Sequence, residues 1–407
     1  MIYNSINDIK SIQIEITNNC QAMCPGCQRN INVGWVCDSC RADGITPPTV
    51  NPTLVTGAKG NMPFDIIKKA LPVELLKTLK RVEFNGNFGD APFHPQFKKI
   101  VQYIMENKND NLTIDMSTNG GMHSTNWWAD LAKLWMFNKE NCVWFAIDGT
   151  DNETQQMYRR NVNYDKAIAN ARAFIDAGGK AEWQFIIFDH NKHQIDKLYK
   201  LADEYGFSKV RTNITRSNFN IVHAIGTEDE NFIHKAEKSK KHKSKTIKQT
   251  DGIVWENLKK ETKTLIEKYG NADDYLNQTK ISCVWGDREQ KIMVEHDATV
   301  WQCCYFVGTY LYGYDPKSNM WKNYYEKKYS KDFNSLYSHS LEDIIVNSDL
   351  WKKDLHESWN NKMNSPINPR LEMCANHCGK HQRNSYSSDT GRPDILSVAS
   401  LEVDPED

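Results

Sequence analysis

Residues 12–30 read IQIEITNNCQAMCPGCQRN. A short apolar strand over Ile12–Ile16 runs directly into three cysteines, Cys20, Cys24 and Cys27, spaced C-x3-C-x2-C. Three thiolates on one loop can hold three irons of a four-iron cluster and leave the fourth iron open to a small molecule. That is the donor set of a catalytic cluster, because a purely electron-carrying cluster is closed by four cysteines.

Outward from this loop, residues up to 215 alternate between strand-like and helix-like runs. The expected strands are Ile12–Ile16, Arg81–Asn85, Leu112–Met116, Val143–Asp148, Glu182–Phe188 and Lys209–Ile214. Helix-like stretches fall at Phe64–Leu76, Pro95–Asn107, Asn126–Phe137, Tyr164–Ala177 and Lys192–Tyr205, with apolar residues at three- and four-residue spacing. Strand, helix, strand, helix predicts an α/β fold with a parallel sheet wrapped by helices. Six units are fewer than the eight of a closed barrel, so the expectation is a partial, six-stranded TIM-like barrel over 1–215. Ligands of parallel α/β sheets gather at the carboxyl ends of strands, which is where the cysteine loop sits.

Two segments interrupt the rhythm. Residues 31–61 form an insertion beside the cysteine loop and carry Cys37 and Cys40, a metal half-site or a surface turn with incidental thiols. Residues 216–280 are polar and charged, with HKAEKSKKHKSKTIK at 234–248 and a helix expected over Trp255–Tyr269. A basic run of this kind is usually a solvated linker. The alternative is a grip on an acidic partner or nucleic acid.

From residue 281 the pattern changes. KIMVEHDATVWQCCYF predicts two alternating strands around a turn at His296–Thr299, followed by a helix over Leu341–Leu355. Cys283, Cys303, Cys304, Cys374 and Cys378 gather in this part, which is assigned to a second, α+β domain over 281–385 with a polar, acidic tail over 386–407. Four of these thiols suit a closed iron–sulfur cluster or a tetrahedral zinc equally well. Of the adjacent pair only one is expected to point inward, and Cys303 is the choice. Cys142 begins a strand and is assigned to the core.

The order of motifs resembles the radical S-adenosylmethionine (SAM) superfamily. NGNFGDAP at 85–92 follows the second strand, where that superfamily has a Gly-Gly-Glu-Pro-like turn holding the SAM amino group; the matching residues are Asn85, Gly86, Gly89 and Asp90. MSTNGG at 116–121 follows the third strand, and Ser117 and Asn119 match its polar SAM contacts. AIDGTDNETQQMYRR at 146–160 resembles a Ser-x-Asp-Gly run followed by an Arg, which makes Asp148 and Arg159 ribose and carboxylate contacts by resemblance. Two departures stand out. Asp90 replaces a Glu, and Gly26 stands where an aromatic residue often packs near the adenine.

The resemblance implies a 4Fe–4S cluster on Cys20, Cys24 and Cys27, SAM as second cofactor, and a 5′-deoxyadenosyl radical that removes hydrogen from a substrate. It further implies that Cys283, Cys303, Cys374 and Cys378 form a twitch/SPASM-like domain with an auxiliary cluster. A flavodoxin- or ferredoxin-like electron donor and a peptide, protein or small-molecule substrate are the expected partners. No peptide-recognition domain precedes Ile12, which counts against a leader peptide unless that domain is a separate protein. The rival readings are an enzyme acting on nucleic acid or nucleotide, and a zinc-binding protein without radical chemistry.

Composition narrows the field. The chain has 407 residues, 51 basic and 52 acidic, so global charge favours no polyanionic partner. Hydrophobic residues at 39% with twelve Trp can build a core. No apolar run of about 18 residues predicts a membrane span. No signal peptide is read at the N-terminus, which makes cytoplasmic the expected location. Eleven cysteines without a secretion signal point to metal ligation rather than disulfides.

Overall fold

The computed structural model describes residues 3–24, 27, 60–86, 88–188, 190–214, 272–306 and 316–379. Gly26, Cys37, Cys40, the basic run 234–248, the expected helix Trp255–Tyr269 and the tail lie outside the described residues. The chain divides into two compact units, Gln13–Ile67 with Lys80–Thr250, and Met1–Ile12 with Lys68–Leu79 and Asp251–Asp407.

In the first unit the strands are β1 (Ser11–Ile14, which straddles the division), β2 (Arg81–Phe84), β3 (Thr113–Thr118), β4 (Cys142–Ala146), β5 (Ala181–Ile187) and β6 (Lys209–Ile214). They lie in the order β6-β5-β4-β3-β2-β1, and β2 through β6 pair in parallel. A sequential order with no internal reversal is the barrel-like arrangement; a doubly wound sheet would reverse at a switch point. The fold is α/β, as expected.

The helices up to residue 214 are α1 (Phe64–Ala70, which straddles the division), α2 (Val73–Leu76, which falls in the second unit), α3 (Phe97–Asn107), α4 (Thr125–Trp135), α5 (Asn152–Tyr158), α6 (Tyr164–Asp176) and α7 (Ile195–Glu204). The single helix expected over Phe64–Leu76 is two, because Pro72 (ψ 153°) has no N–H to continue the ladder. α5 was not expected from periodicity; it starts where the Asp151 carboxylate accepts the Thr154 N–H at 2.9 Å. Ser124 and Asn163 cap α4 and α6 in the same way. β1 stops at Ile14 rather than Ile16, because the returning end of the insertion captures the chain there. The Met62 N–H donates to the Ile16 carbonyl at 2.8 Å, and Thr17 bridges Asn61.

The two faces of this sheet differ in kind. Ile14, Val82, Phe84, Ile114, Met116, Val143, Phe145, Trp183 and Phe185 are fully buried on the apolar face. That face carries an aromatic chain: Phe84 against Phe97 at 5.3 Å, Trp128 against Phe145 at 5.2 Å, and Trp183 against Phe207 at 5.1 Å. Each such pair adds about 0.5–1.5 kcal/mol beyond the area it buries. The alternate residues, among them Gln13, Glu15, Glu83, Asp115, Trp144, Glu182 and Gln184, are also buried, yet polar.

In the second unit, β7 (Lys291–Val294) and β8 (Val300–Trp301) pair antiparallel, as the hairpin reading expects. Ala298 takes a positive φ of 68° in the turn, and Asp297 Oδ1 accepts the Thr299 N–H at 3.0 Å. The helix expected over Leu341–Leu355 is interrupted, with π-helical turns at Asp343–Asn347 and Leu350–Asp354 on either side of Ser348. Besides these, the unit contains α8 (Ala272–Gln278), a π-helical turn Val284–Glu289, α9 (Pro316–Tyr329), α10 (Leu355–Ser358) and α11 (Glu372–Cys378). Asp354 is buried, receives Lys328 and the Tyr329 hydroxyl, and anchors this unit's helices. Among the described residues no helix is long and apolar enough to cross a membrane.

Candidate active site

Three loops at the carboxyl ends of β1, β2 and β3 are fastened to one another. Glu15, just past β1, accepts the N–H groups of Phe88 (2.5 Å) and Gly89 (2.6 Å) on one carboxylate oxygen. The Asn19 carbonyl accepts the Asp90 N–H at 2.9 Å. A Cβ on Gly89 would lie 1.8 Å from the Thr17 carbonyl oxygen, and one on Gly86 would lie 2.2 Å from that of Gly89. Both glycines therefore serve close backbone approach, whatever else they contact. Asn18 Oδ1 takes the Gly60 N–H at 2.9 Å, so the insertion returns to the chain beside the cysteine loop.

Asn119, just after β3, ties this clamp to the first thiol. Its amide nitrogen donates to Asp90 Oδ2 at 2.5 Å and lies 3.5 Å from Cys20 Sγ. Its oxygen accepts the Gln21 side-chain N–H at 2.5 Å and the Gly121 N–H at 2.8 Å. Asn85 Oδ1, at the end of β2, is buried and has no hydrogen-bond partner among the described residues. Ser117 is not joined to this knot: it points along the polar face and donates to Gln184 Oε1 at 3.1 Å.

A second chain of contacts reaches Cys24. Asp148, fully buried after β4, accepts Arg159 Nε at 2.5 Å on one oxygen and the Ile186 N–H at 2.6 Å on the other. Arg159 Nη1 lies 3.9 Å from Cys24 Sγ. Burial opposes the charge on Arg159, but Asp148 and Cys24 beside it outweigh that, and its pKa is raised. Burial pushes the Cys24 thiol up to about 11, and the Arg159 guanidinium pulls in the opposite direction. The Cys27 N–H closes a turn onto the Cys24 carbonyl at 3.1 Å.

Thus Asp148 and Arg159, expected as separate contacts, form one ion pair directed at a cysteine. Sequence reading missed Glu15 and Gln21. The signal for Glu15 was a carboxylate alternating with three isoleucines in IQIEI; Gln21 had none beyond its place inside the triad.

The C-terminal thiols also gather. Cys283 Sγ accepts the Gly286 N–H at 3.2 Å and faces the Gln302 amide nitrogen at 3.9 Å. The Ser282 N–H donates to the Cys378 carbonyl at 2.8 Å, which brings the end of α11 alongside. A hydrogen bond from Cys378 lowers the Cys283 thiol to about 7 and raises Cys378 in turn. Burial, then the neighbouring thiols of Cys304, Cys374 and Cys283, raise Cys303. Burial also lifts Cys304 to about 11, but the charges it feels next are Lys291 and Glu295 rather than the other cysteines. Cys142 is buried at the start of β4, away from either group, with its thiol raised chiefly by burial.

Comparison with known proteins adds to this geometry. Residues 14–202 match the family model described as the Radical SAM superfamily. No curated protein matches the chain in sequence. Among solved structures, Streptococcus suis SuiB aligns with 13% identity and a TM-score of 0.43 over 73% of this chain. The alignment spans 61% of that SuiB chain. SuiB bound to its precursor peptide SuiA aligns over 90% of this chain and 77% of its own, with 13% identity and a TM-score of 0.43. A histidine-tagged anSMEcpe with bound AdoMet aligns over 97% of this chain and 89% of its own, with 12% identity and a TM-score of 0.44. Residues 14–202, which contain the whole cysteine triad and every loop fastened to it, carry a Radical SAM superfamily domain.

Proposed function

We propose that the chain is a radical SAM enzyme whose catalytic cluster sits on Cys20, Cys24 and Cys27 and whose substrate is a peptide, a protein or a small molecule. The observation that carries this is the pair of contact chains, Asp90–Asn119–Cys20 and Asp148–Arg159–Cys24. Each runs from a buried carboxylate through an N–H donor to a cluster thiol.

The donor set fits a 4Fe–4S group. Thiolate sulfurs in such sites accept N–H contacts, which orient the ligand and tune the potential. With SAM bound, the cluster supplies a one-electron cleavage that gives methionine and a 5′-deoxyadenosyl radical. The protein's part is position and exclusion of water. Asn119 holds Cys20 and Asp90 in one register, and Asp90 and Asn85 offer acceptors to the SAM ammonium. Asp148, with both oxygens engaged, acts by fixing Arg159. Arg159 provides the positive charge that favours the Cys24 thiolate and can pair with a carboxylate. Asn119→Ala is expected to weaken SAM binding by about 10–100-fold, as loss of such a supporting contact does elsewhere. Equilibrium binding of SAM to the anaerobic protein measures it, and unchanged affinity would detach Asn119 from the site.

The same reading assigns Cys283, Cys303, Cys374 and Cys378 to an auxiliary cluster in a twitch/SPASM-like domain and leaves Cys304 out. Two clusters call for about eight irons per chain in an anaerobic preparation. Cys378→Ala should bring that to about four while some SAM cleavage persists. Zinc in place of iron at these thiols would replace the auxiliary cluster by a structural site. The deciding experiment is metal analysis with a deoxyadenosine assay, using dithionite in place of a flavodoxin- or ferredoxin-like donor. Absence of both iron and deoxyadenosine would overturn the reading.

A further inference from the structure

The polar face of the sheet is unusual for its class. Strands in parallel sheets are commonly apolar on both faces, and barrel interiors are filled by branched aliphatic side chains. Here the apolar face is complete, yet the opposite face buries carboxamides, carboxylates and an indole. Buried polar groups cost stability unless they are paired, so a face built of them calls for a reason.

Trp144 is at the centre of that face. In register it stands between Ser117 of β3 and Glu182 of β5. It is only 8% exposed, and its indole N–H is buried with no acceptor among the described residues. Two guanidiniums flank the ring, Arg211 at 4.9 Å and Arg81 at 5.9 Å from the ring centroid. Each is held by a buried carboxylate through Nε: Arg81 by Asp115 at 2.6 Å, Arg211 by Glu182. On the same face lie the Ser117–Gln184 hydrogen bond and Gln13, whose amide donates to the Asn85 carbonyl at 2.9 Å. Ser117 precedes Asn119 by two residues, about 7 Å along the strand, and Trp144 precedes Asp148 by four, about 13 Å. The indole therefore lies one to two side-chain layers beneath the thiol-bearing loops.

We propose that this face is the substrate pocket and that Trp144 donates its indole N–H to the carbonyl oxygen of a neutral amide in the substrate. The inference rests on the radical SAM reading, and it names the substrate's chemistry. The orphan donor requires an acceptor, because a buried N–H without one forfeits its full desolvation cost. The acceptor is neutral because both signs of charge are already present. A ligand anion would meet Asp115, Glu83 and Glu182, and a ligand cation would meet Arg81 and Arg211. An amide oxygen meets neither objection, and the carboxamide of Gln184 can both donate to and accept from an amide. Peptide bonds and free carboxamides share this chemistry.

The test is a titration of the anaerobic holoenzyme with indole-15N tryptophan, reading the Trp144 N–H resonance and assigning it by its loss in Trp144→Phe. N-acetylglycinamide should shift that resonance saturably. Acetamide reaching the same plateau at the same concentration would mark a small carboxamide as the substrate group; tighter binding of N-acetylglycinamide would mark a peptide. Acetate, methylammonium and ethylene glycol should leave the resonance in place. Gln184→Met should raise the half-shift concentration about tenfold, the worth of one hydrogen bond, and it keeps the reporter if Trp144→Phe does not fold. No shift with either amide, or an equal shift with acetate or ethylene glycol, overturns the inference. A parallel deoxyadenosine assay on the wild type keeps the two readings apart. Deoxyadenosine formed without an amide-dependent shift sinks the pocket alone, and no deoxyadenosine sinks the radical SAM reading beneath it.

Discussion

Cys24→Ala is expected to reduce deoxyadenosine formation from SAM and dithionite to background, a loss well beyond about a hundredfold. Removing a contact that merely supports a metal ligand costs about 10–100-fold, and this change removes the ligand itself. Cys24 is the most enclosed of the three thiols, at 5% exposure, and burial holds its proton on with a pKa of about 11. In the proposed cluster site iron would displace that proton, with Arg159 alongside to favour the thiolate. An alanine there leaves two thiols, which cannot hold a cluster that needs three. Iron should fall by about four per chain, while the auxiliary complement remains. Cys142→Ala is the control: its thiol is equally buried but belongs to neither group, and iron should not change. Deoxyadenosine at the wild-type rate in Cys24→Ala would remove the triad from the chemistry.

Much of this site is legible in the sequence. Spacing alone places Cys20, Cys24 and Cys27 after a strand, and the strand-like runs fall within two residues of the five later strands at both ends. What the sequence could not give was which polar residue meets which. Asp148 and Arg159 are eleven apart, and nothing in AIDGTDNETQQMYRR says that they pair, because that depends on a helical turn capped by Asp151. Glu15 spans seventy-four positions to reach Gly89. Such contacts are set by the closing of the sheet, not by local pattern. The breaks at Pro72 and Ser348 show the reverse error, in which a periodic apolar run continues past a residue that stops the helix. The polar face went unread for a related reason. Gln13, Ser117, Trp144 and Gln184 come from four strands, and only the pairing of the strands brings them to one face.

The second large effect concerns that buried ion pair. Asp148→Ala is expected to destabilise the protein by about 3–5 kcal/mol, because it strands the Arg159 charge and orphans the Ile186 N–H at once. Asp148 has no exposed side-chain surface and Arg159 only 18%, so water does little to screen the loss. For a unit of this size that corresponds to a fall in melting temperature on the order of 10 °C. The double variant Asp148→Ala/Arg159→Leu should recover part of it, since removing both charges avoids the uncompensated guanidinium. Thermal unfolding of the two variants under anaerobic conditions measures the difference directly. Equal melting temperatures would mean that Asp148 acts through the Ile186 hydrogen bond and not through Arg159. Restored stability should not restore function, because the double variant still lacks the positive charge beside Cys24. SAM cleavage in it should stay at least about tenfold below wild type, the lower bound for losing a contact that supports a metal ligand. A double variant with wild-type cleavage would show that the Asp148–Arg159 pair holds the fold and leaves the chemistry to other residues.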